Sequence, residues 1–158
     1  MEINMKKIKK TSKKLPTMRY CLDEFGIEPV RANPTDAGLD LRIPHDCVVP
    51  ARGSVVIDTG VHFDVPAGFD LEIKPKSGLN IKHDLVAFGV VDAGFTGSVV
   101  VKVYNLGDED YAFIRGDKLT QVVMTEIKTP HLQRVESVDK FRSAKSTRGS
   151  KGFGSSGR

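Results

Sequence analysis

No stretch of the 158-residue sequence approaches the ~20 consecutive apolar residues that a helix needs to cross a bilayer. The basic start, MEINMKKIKK, leads into TSKKLP rather than into the apolar segment of a signal peptide. Those two absences predict a soluble, unsecreted protein with no membrane partner. Cysteine is scarce as well: Cys21 and Cys47 are too few and too isolated for a disulfide framework, so reduced thiols in a cytoplasm are expected. The histidines His45, His62, His83 and His131 are scattered and show no metal-ligand spacing. Acidic residues are absent from positions 140–158, which hold six Lys/Arg, and positions 1–19 hold seven Lys/Arg against one acid.

What remains between those basic ends is acidic, with eleven bases against nineteen acids over the central 120 residues. An acidic body argues against a broad groove for a nucleic-acid backbone. The basic amino-terminal run reads as a solvated tail, with attraction to nucleic acid or membrane as the alternative. A chain of this length suits one domain with tails and can bury roughly two thirds of its unfolded surface.

Along the chain, periodicity is poor up to about Gly26, and the stretch Met18 to Phe25 is open to either a short strand or a helical turn. Pro29, Pro34 and Pro44 forbid a helix interior in the next stretch, where Leu39 and Leu41 alternate with Asp40 and Arg42. CVVP, SVVID, VHFDV and FDLEIK then follow at short spacing, and Phe69, Leu71 and Ile73 alternate with Asp70, Glu72 and Lys74. This is antiparallel β patterning with one wet face. Pro75 to Asn80 interrupts it, either as a plain turn or, through Lys76, Ser77 and Gly78, as a cradle for a phosphate; the residues up to Asp84 can make one helical turn. Further on, Arg115-Gly116-Asp117 reads as a surface turn before the β-rich run LTQVVMTEI.

The stretch from Val86 to Tyr104, VAFGVVDAGFTGSVVVKVY, reads as strand, turn and strand, with Gly94 and Gly97 available to supply positive φ values at the tip. Asp92 sits where the first apolar run gives way to the turn. It either starts that turn, as aspartate commonly does, or has a chemical task, since an unpaired carboxylate in a core strand is costly. From about Glu136 the pattern collapses into a Gly/Ser-rich tail holding Arg148, Lys151 and one aromatic, Phe153, framed by Gly152 and Gly154. That composition fits a disordered tail, or a segment that orders on a nucleotide by gripping phosphate and stacking on a base.

Five segments occur in a telling order: Ala37 to Leu41, Pro75 to Leu79, Gly89 to Gly97, Arg115 to Gln121 and Arg148 to Ser156. Together they resemble the five ordered motifs of the trimeric dUTPase family, and the resemblance covers the chain from about Pro29 to its end. It implies an all-β, jelly-roll-like barrel or sandwich with at most one short helix. The division it implies is a basic, partly mobile extension over 1–26, a β domain over 27–140 and a flexible lid over 141–158. It further implies a homotrimer with active sites at subunit interfaces. The activity implied is hydrolysis of dUTP to dUMP and pyrophosphate with Mg²⁺, which limits uracil entry into DNA and supplies dUMP.

By the same resemblance, Asp92 is the general base for water. The main chain from Gly89 to Asp92 and along Val99 and Val100 reads the uracil edge, and Phe95 packs on the deoxyribose. Lys76, Ser77, Gly78 and Gln121 serve the phosphates, with Lys76 bonding either a phosphate or Asp92. Asp40 organises the metal through water, Mg²⁺ being held mainly by the substrate phosphates. Arg148 reaches the γ-phosphate, Phe153 covers the uracil, and Gly154, Ser155 and Ser156 wrap the phosphates as a lid. Lys76 stands where the family often has Arg, Gly94 and Ser98 where it often has acidic or amide residues, and Lys151 where it often has Gly. Two alternatives are a dCTP deaminase on the same fold, disfavoured because Gly89 to Ser98 contains no Glu, and a regulatory protein that uses the scaffold to switch a protein partner.

Overall fold

The computed structural model describes residues 15–141. Among these residues, eleven strands and two short helices occur in this order: β1 (Arg19–Leu22), β2 (Gly38–Arg42), β3 (Cys47–Val49), β4 (Ser54–Asp58), β5 (Val61–Asp64), β6 (Phe69–Lys74), α1 (Ser77–His83), β7 (Leu85–Ala87), β8 (Gly89–Asp92), β9 (Val100–Asn105), β10 (Tyr111–Phe113), β11 (Lys118–Glu126) and α2 (Val138–Phe141). The all-β, jelly-roll expectation holds. The stretch around Met18 to Phe25, open in the sequence, contains a strand: β1 pairs antiparallel with β5.

The sheets are set by alternation. In β9, Val101 and Val103 are buried while Val100 and Lys102 are exposed, as a period of two requires. A four-stranded sheet runs β2-β11-β6-β8, a three-stranded sheet β4-β9-β7, and two-stranded ladders join β1 to β5 and β3 to β10. Leu41, Leu71, Val91 and Val122 from the four-stranded sheet and Ile57, Val101 and Val103 from the three-stranded one belong to a single buried cluster with Phe63 and Phe113. Truncating such a side chain to alanine costs about 2–5 kcal/mol, so this cluster fixes the relative position of the loops it carries.

The turn expected after Pro75 is the start of α1, two turns long, which ends where Asp84 takes a left-handed conformation (φ 52°) and donates its N–H to the Asn80 carbonyl. The expected hairpin from Val86 to Tyr104 forms only at its base. β7 pairs with β9, whereas β8 leaves to pair with β6. Gly89 lies at the departure, where a Cβ would stand 3.2 Å from Ile73 Cδ1, and just before it Phe88 stacks on Tyr104 with ring centroids 5.6 Å apart.

The chain divides after Lys128 into two units. In the second, residues 129–141 are described, and their one helical turn, α2, is capped by Ser137, whose Oγ accepts from Lys140 N–H at 3.3 Å. No helix among the described residues is long and apolar enough to cross a membrane.

Candidate active site

A slot opens where β8 and β9 part. Among the described residues β8 is an edge strand, with β6 on one side and no strand on the other. On β9 and just before it, odd-numbered residues direct their backbone groups toward β4 and β5. Val99 N–H donates to the Val61 carbonyl (2.8 Å), the Val99 carbonyl accepts from Thr59 N–H and Oγ1–H, and Asn105 N–H donates to the Gly53 carbonyl (2.9 Å). The groups of Val100 and Lys102 therefore point the opposite way, toward the slot. This corrects the expectation for Val99, whose N–H and carbonyl are already taken. Gly89, Asp92, Phe95, Val100 and Lys102 are among the residues lining the resulting cavity of about 330 Å³.

Asp92 ends β8 at this cavity with its side chain exposed. The next residues turn sharply: Phe95 N–H donates to the Asp92 carbonyl at 3.2 Å, and Gly94 has φ +89°, the value position i+2 of a type II turn needs. Gly97 does not share that conformation. Its role is clearance, because a Cβ there would lie 2.6 Å from Phe95 Cζ. The loop is also fastened to the β4–β5 corner: His62 Nδ1 is 2.9 Å from the Thr96 carbonyl oxygen, His62 Nε2 is 3.2 Å from Asp23 Oδ2, and Ser98 Oγ donates to Asp58. Sequence reading passed over His62, because only the fold sets β5 beside this loop, where Val99 N–H donates to the Val61 carbonyl.

A second cluster surrounds Asp40, which is 4 % exposed. Its Oδ1 accepts from Lys76 Nζ at 2.6 Å and its Oδ2 from Lys118 Nζ at 2.8 Å. Burial pushes this carboxyl pKa up, but hydrogen bonds from Lys118 and Lys76, with their charges, outweigh burial and hold it below the ordinary value. Within the chain, then, Lys76 bonds to Asp40 rather than to Asp92. Ser77 and Gly78 follow Lys76 in the first turn of α1, and Gly78 leaves open space where a Cβ would point. Gln121 is the register partner of both Asp40 and Lys74, and its Nε2 donates to the Pro75 carbonyl at 3.1 Å. Gly38 makes that placement possible, since a Cβ there would be 2.2 Å from Gln121 Oε1. Lys118 also escaped the sequence reading, although it lies inside the fourth motif; only the β2–β11 pairing sets it beside Asp40.

Among the described residues, no three His, Cys, Asp or Glu side chains converge on a point that could hold a metal ion.

Asp40 and Asp92 share one face of the four-stranded sheet, because Asp40 pairs with Gln121, Gln121 with Lys74, and Asp70 with Asp92. Two strands and a four-residue register offset separate them, a distance of roughly 20 Å. The slot and the lysine cluster do not meet within one chain. Arg148, Lys151, Phe153, Gly154, Ser155 and Ser156 lie outside the described residues.

Known proteins resemble this chain across both clusters. The deoxyuridine 5'-triphosphate nucleotidohydrolase of Eremothecium gossypii is 40 % identical over 145 residues, covering 90 % of this chain and 92 % of that protein. The Arabidopsis thaliana protein of the same name is 39 % identical over 137 residues, covering 86 % of this chain and 80 % of that protein. A mutant dUTPase of Staphylococcus bacteriophage 80alpha, solved with dUpNHpp, superposes with a TM-score of 0.78 at 27 % identity over 91 % of this chain and all of that one. A mutant dUTPase from phage phi11 of S. aureus, whose structure details the coordination of a structural Mg(II) ion, gives 0.72 at 27 % identity, covering 78 % of this chain and 99 % of that one. The dUTPase family matches residues 26–157, and the chain belongs to that family.

Proposed function

We propose that the protein hydrolyses dUTP to dUMP and pyrophosphate, with Asp92 as the general base and the slot between β8 and β9 as the uracil site. The observation that carries this reading is the parting of the two strands: two unpaired backbone edges face one another across a cavity with a carboxylate at its end. A flat base inserted there meets fixed donors and acceptors. Those reject cytosine, whose edge presents the opposite pattern, and the narrow walls reject the thymine methyl group. Phe95, held over Gly97, lies against the sugar and leaves no room for a 2′-hydroxyl.

The Asp92 carboxylate accepts a proton from a water, whose oxygen attacks the α-phosphorus as the bond to the bridging oxygen breaks and pyrophosphate leaves. Lys76, Lys118, Ser77, Gly78 and Gln121 hold the phosphate chain and spread its charge. Mg²⁺ carried by the triphosphate would add charge neutralisation, with Asp40 the residue that would hold it through water. Arg148 and Phe153 to Ser156 close over the substrate.

The slot and the lysine cluster are roughly 20 Å apart in one chain, so Asp92 of one copy works with Asp40, Lys76 and Gln121 of another; that the copies form a homotrimer is what the resemblance to the trimeric dUTPases implies. The free thiols of Cys21 and Cys47 suit a reducing compartment, and we place the enzyme inside the cell.

Pyrophosphate release from dUTP, dTTP, dCTP and UTP, in wild type and Asp92→Asn, tests this reading. Turnover of dUTP alone, lost in Asp92→Asn while dUTP still binds, is expected. Turnover of dTTP or UTP at a comparable rate, or an Asp92→Asn variant of near-normal activity, contradicts it.

A further inference from the structure

The loop that carries Phe95 is held from outside the five motifs by one histidine. His62, on β5, lies between two groups that can only accept a hydrogen bond. Nδ1 is 2.9 Å from the Thr96 carbonyl oxygen, and Nε2 is 3.2 Å from a carboxylate oxygen of Asp23. A neutral imidazole carries one N–H and can satisfy only one of them; the imidazolium has two and satisfies both. The geometry is that of a staple that closes when the ring is charged. Thr96 lies between Phe95 and Gly97, so its carbonyl fixes the backbone on which the Phe95 ring rests.

We propose that His62 is a positioning residue for the substrate slot, whose imidazolium ties the loop of Phe95 to Thr96 and Asp23 and thereby makes dUTP binding depend on pH. This rests on the reading of the slot as the nucleotide site. The charged groups around the ring agree with it. Asp23 follows β1, and Asp58 ends β4, where it accepts from Ser98 Oγ and Gly60 N–H. On the β1–β5 ladder Cys21 is directly opposite His62, and the neighbouring Arg19 and Asp64 neutralise each other as an ion pair. The balance facing His62 is therefore acidic. The Thr96 carbonyl, then Asp23, hold its pKa above the ordinary value against the opposing effect of burial, with Asp58 adding to the rise.

The sign follows from that direction. A group whose pKa is raised in the folded protein favours the charged, fastened loop fully below its ordinary value of about 6.5, and loses that contribution as pH rises through the higher folded value. The KM for dUTP should therefore rise on the alkaline side of that value while kcat changes less.

The test joins two measurements on the full-length protein: nitrogen-15 NMR of the His62 ring, and pH profiles of KM and kcat for dUTP in wild type, His62→Gln and Asp23→Asn. Expected are a doubly protonated His62 ring near pH 6.5, Phe95 and Gly97 resonances that follow its titration, and a KM in His62→Gln raised about three- to tenfold at pH 6.5 with no further alkaline rise. Asp23→Asn should shift the rise to lower pH. A neutral, single-tautomer ring at pH 6.5 overturns the staple. So do Phe95 and Gly97 resonances indifferent to its titration, or matching KM profiles in wild type and His62→Gln. If wild type releases no pyrophosphate from dUTP, the functional reading fails, and the NMR titration still decides the staple.

Discussion

Asp70 stands directly opposite Asp92 across the β6–β8 ladder, nine-tenths buried, and its Oδ1 has no hydrogen-bond partner among the described residues. Directly opposed residues in an antiparallel pair lie on one face with Cβ atoms about 5 Å apart, so the two carboxylates are neighbours. Leaving a buried carboxylate oxygen unpaired beside a like charge costs stability. Asp70→Asn removes the charge and supplies a donor. It should raise the unfolding free energy by about 0.5–1.5 kcal/mol, read as a higher urea midpoint at unchanged slope.

Asp40 has the reverse problem. Its carboxylate is stabilised by Lys76 and Lys118, so that contribution is present above the ordinary pKa near 4 and is lost as pH falls through the lower folded value. Lys118 is nearly half exposed and its share is screened. Asp40→Asn should cost about 1–3 kcal/mol at pH 7 and flatten the decline in wild-type stability below pH 4, checked by urea unfolding across pH 2.5–7.

The closeness of Gly38 to Gln121 offers a cleaner probe of the phosphate cluster. A Cβ at Gly38 would lie 2.2 Å from the far end of a flexible side chain, so Gly38→Ala should move the amide rather than unfold the sheet. We expect kcat/KM for dUTP to fall about tenfold with stability changed by less than about 1 kcal/mol. Combined with Gln121→Ala, it should add little, because both changes remove the same contact.

Gly97→Ala should loosen sugar discrimination. The new methyl group would displace the Phe95 ring, whose Cζ, Cε2 and Cε1 would lie 2.6, 3.1 and 3.2 Å from it. The ratio of kcat/KM for dUTP over UTP should drop about tenfold or more, mostly through faster UTP turnover.

These residues also show where one sequence is legible. Leu39, Leu41, Phe69, Leu71 and Ile73 announce their strands, because side chains that alternate between core and water leave a period of two. Asp92 could be singled out because a carboxylate interrupts an apolar run, whereas Asp40 alternates with Leu39 and Leu41 and drew notice only through the family resemblance. The parting of β8 from β9 was not visible: alternation says which face a residue takes, and it does not say which strand will be its neighbour. Lys118 and His62 were missed for the same reason. Lys118 meets Asp40 through a strand register over 78 residues, and His62 meets Thr96 where β5 packs beside a loop 34 residues further on. Gly97 was assigned a turn conformation when its function is to leave room for a ring, a distinction that needs coordinates.

The most direct test of a site shared between copies is subunit complementation. Asp92→Asn and Asp40→Asn chains, each expected to be inactive alone, are unfolded together, refolded as a mixture, and assayed for pyrophosphate release from dUTP. If Asp92 of one copy works with Asp40 of another, random assembly should restore about a quarter of the wild-type sites. A mixture as inactive as its parents would contradict the account.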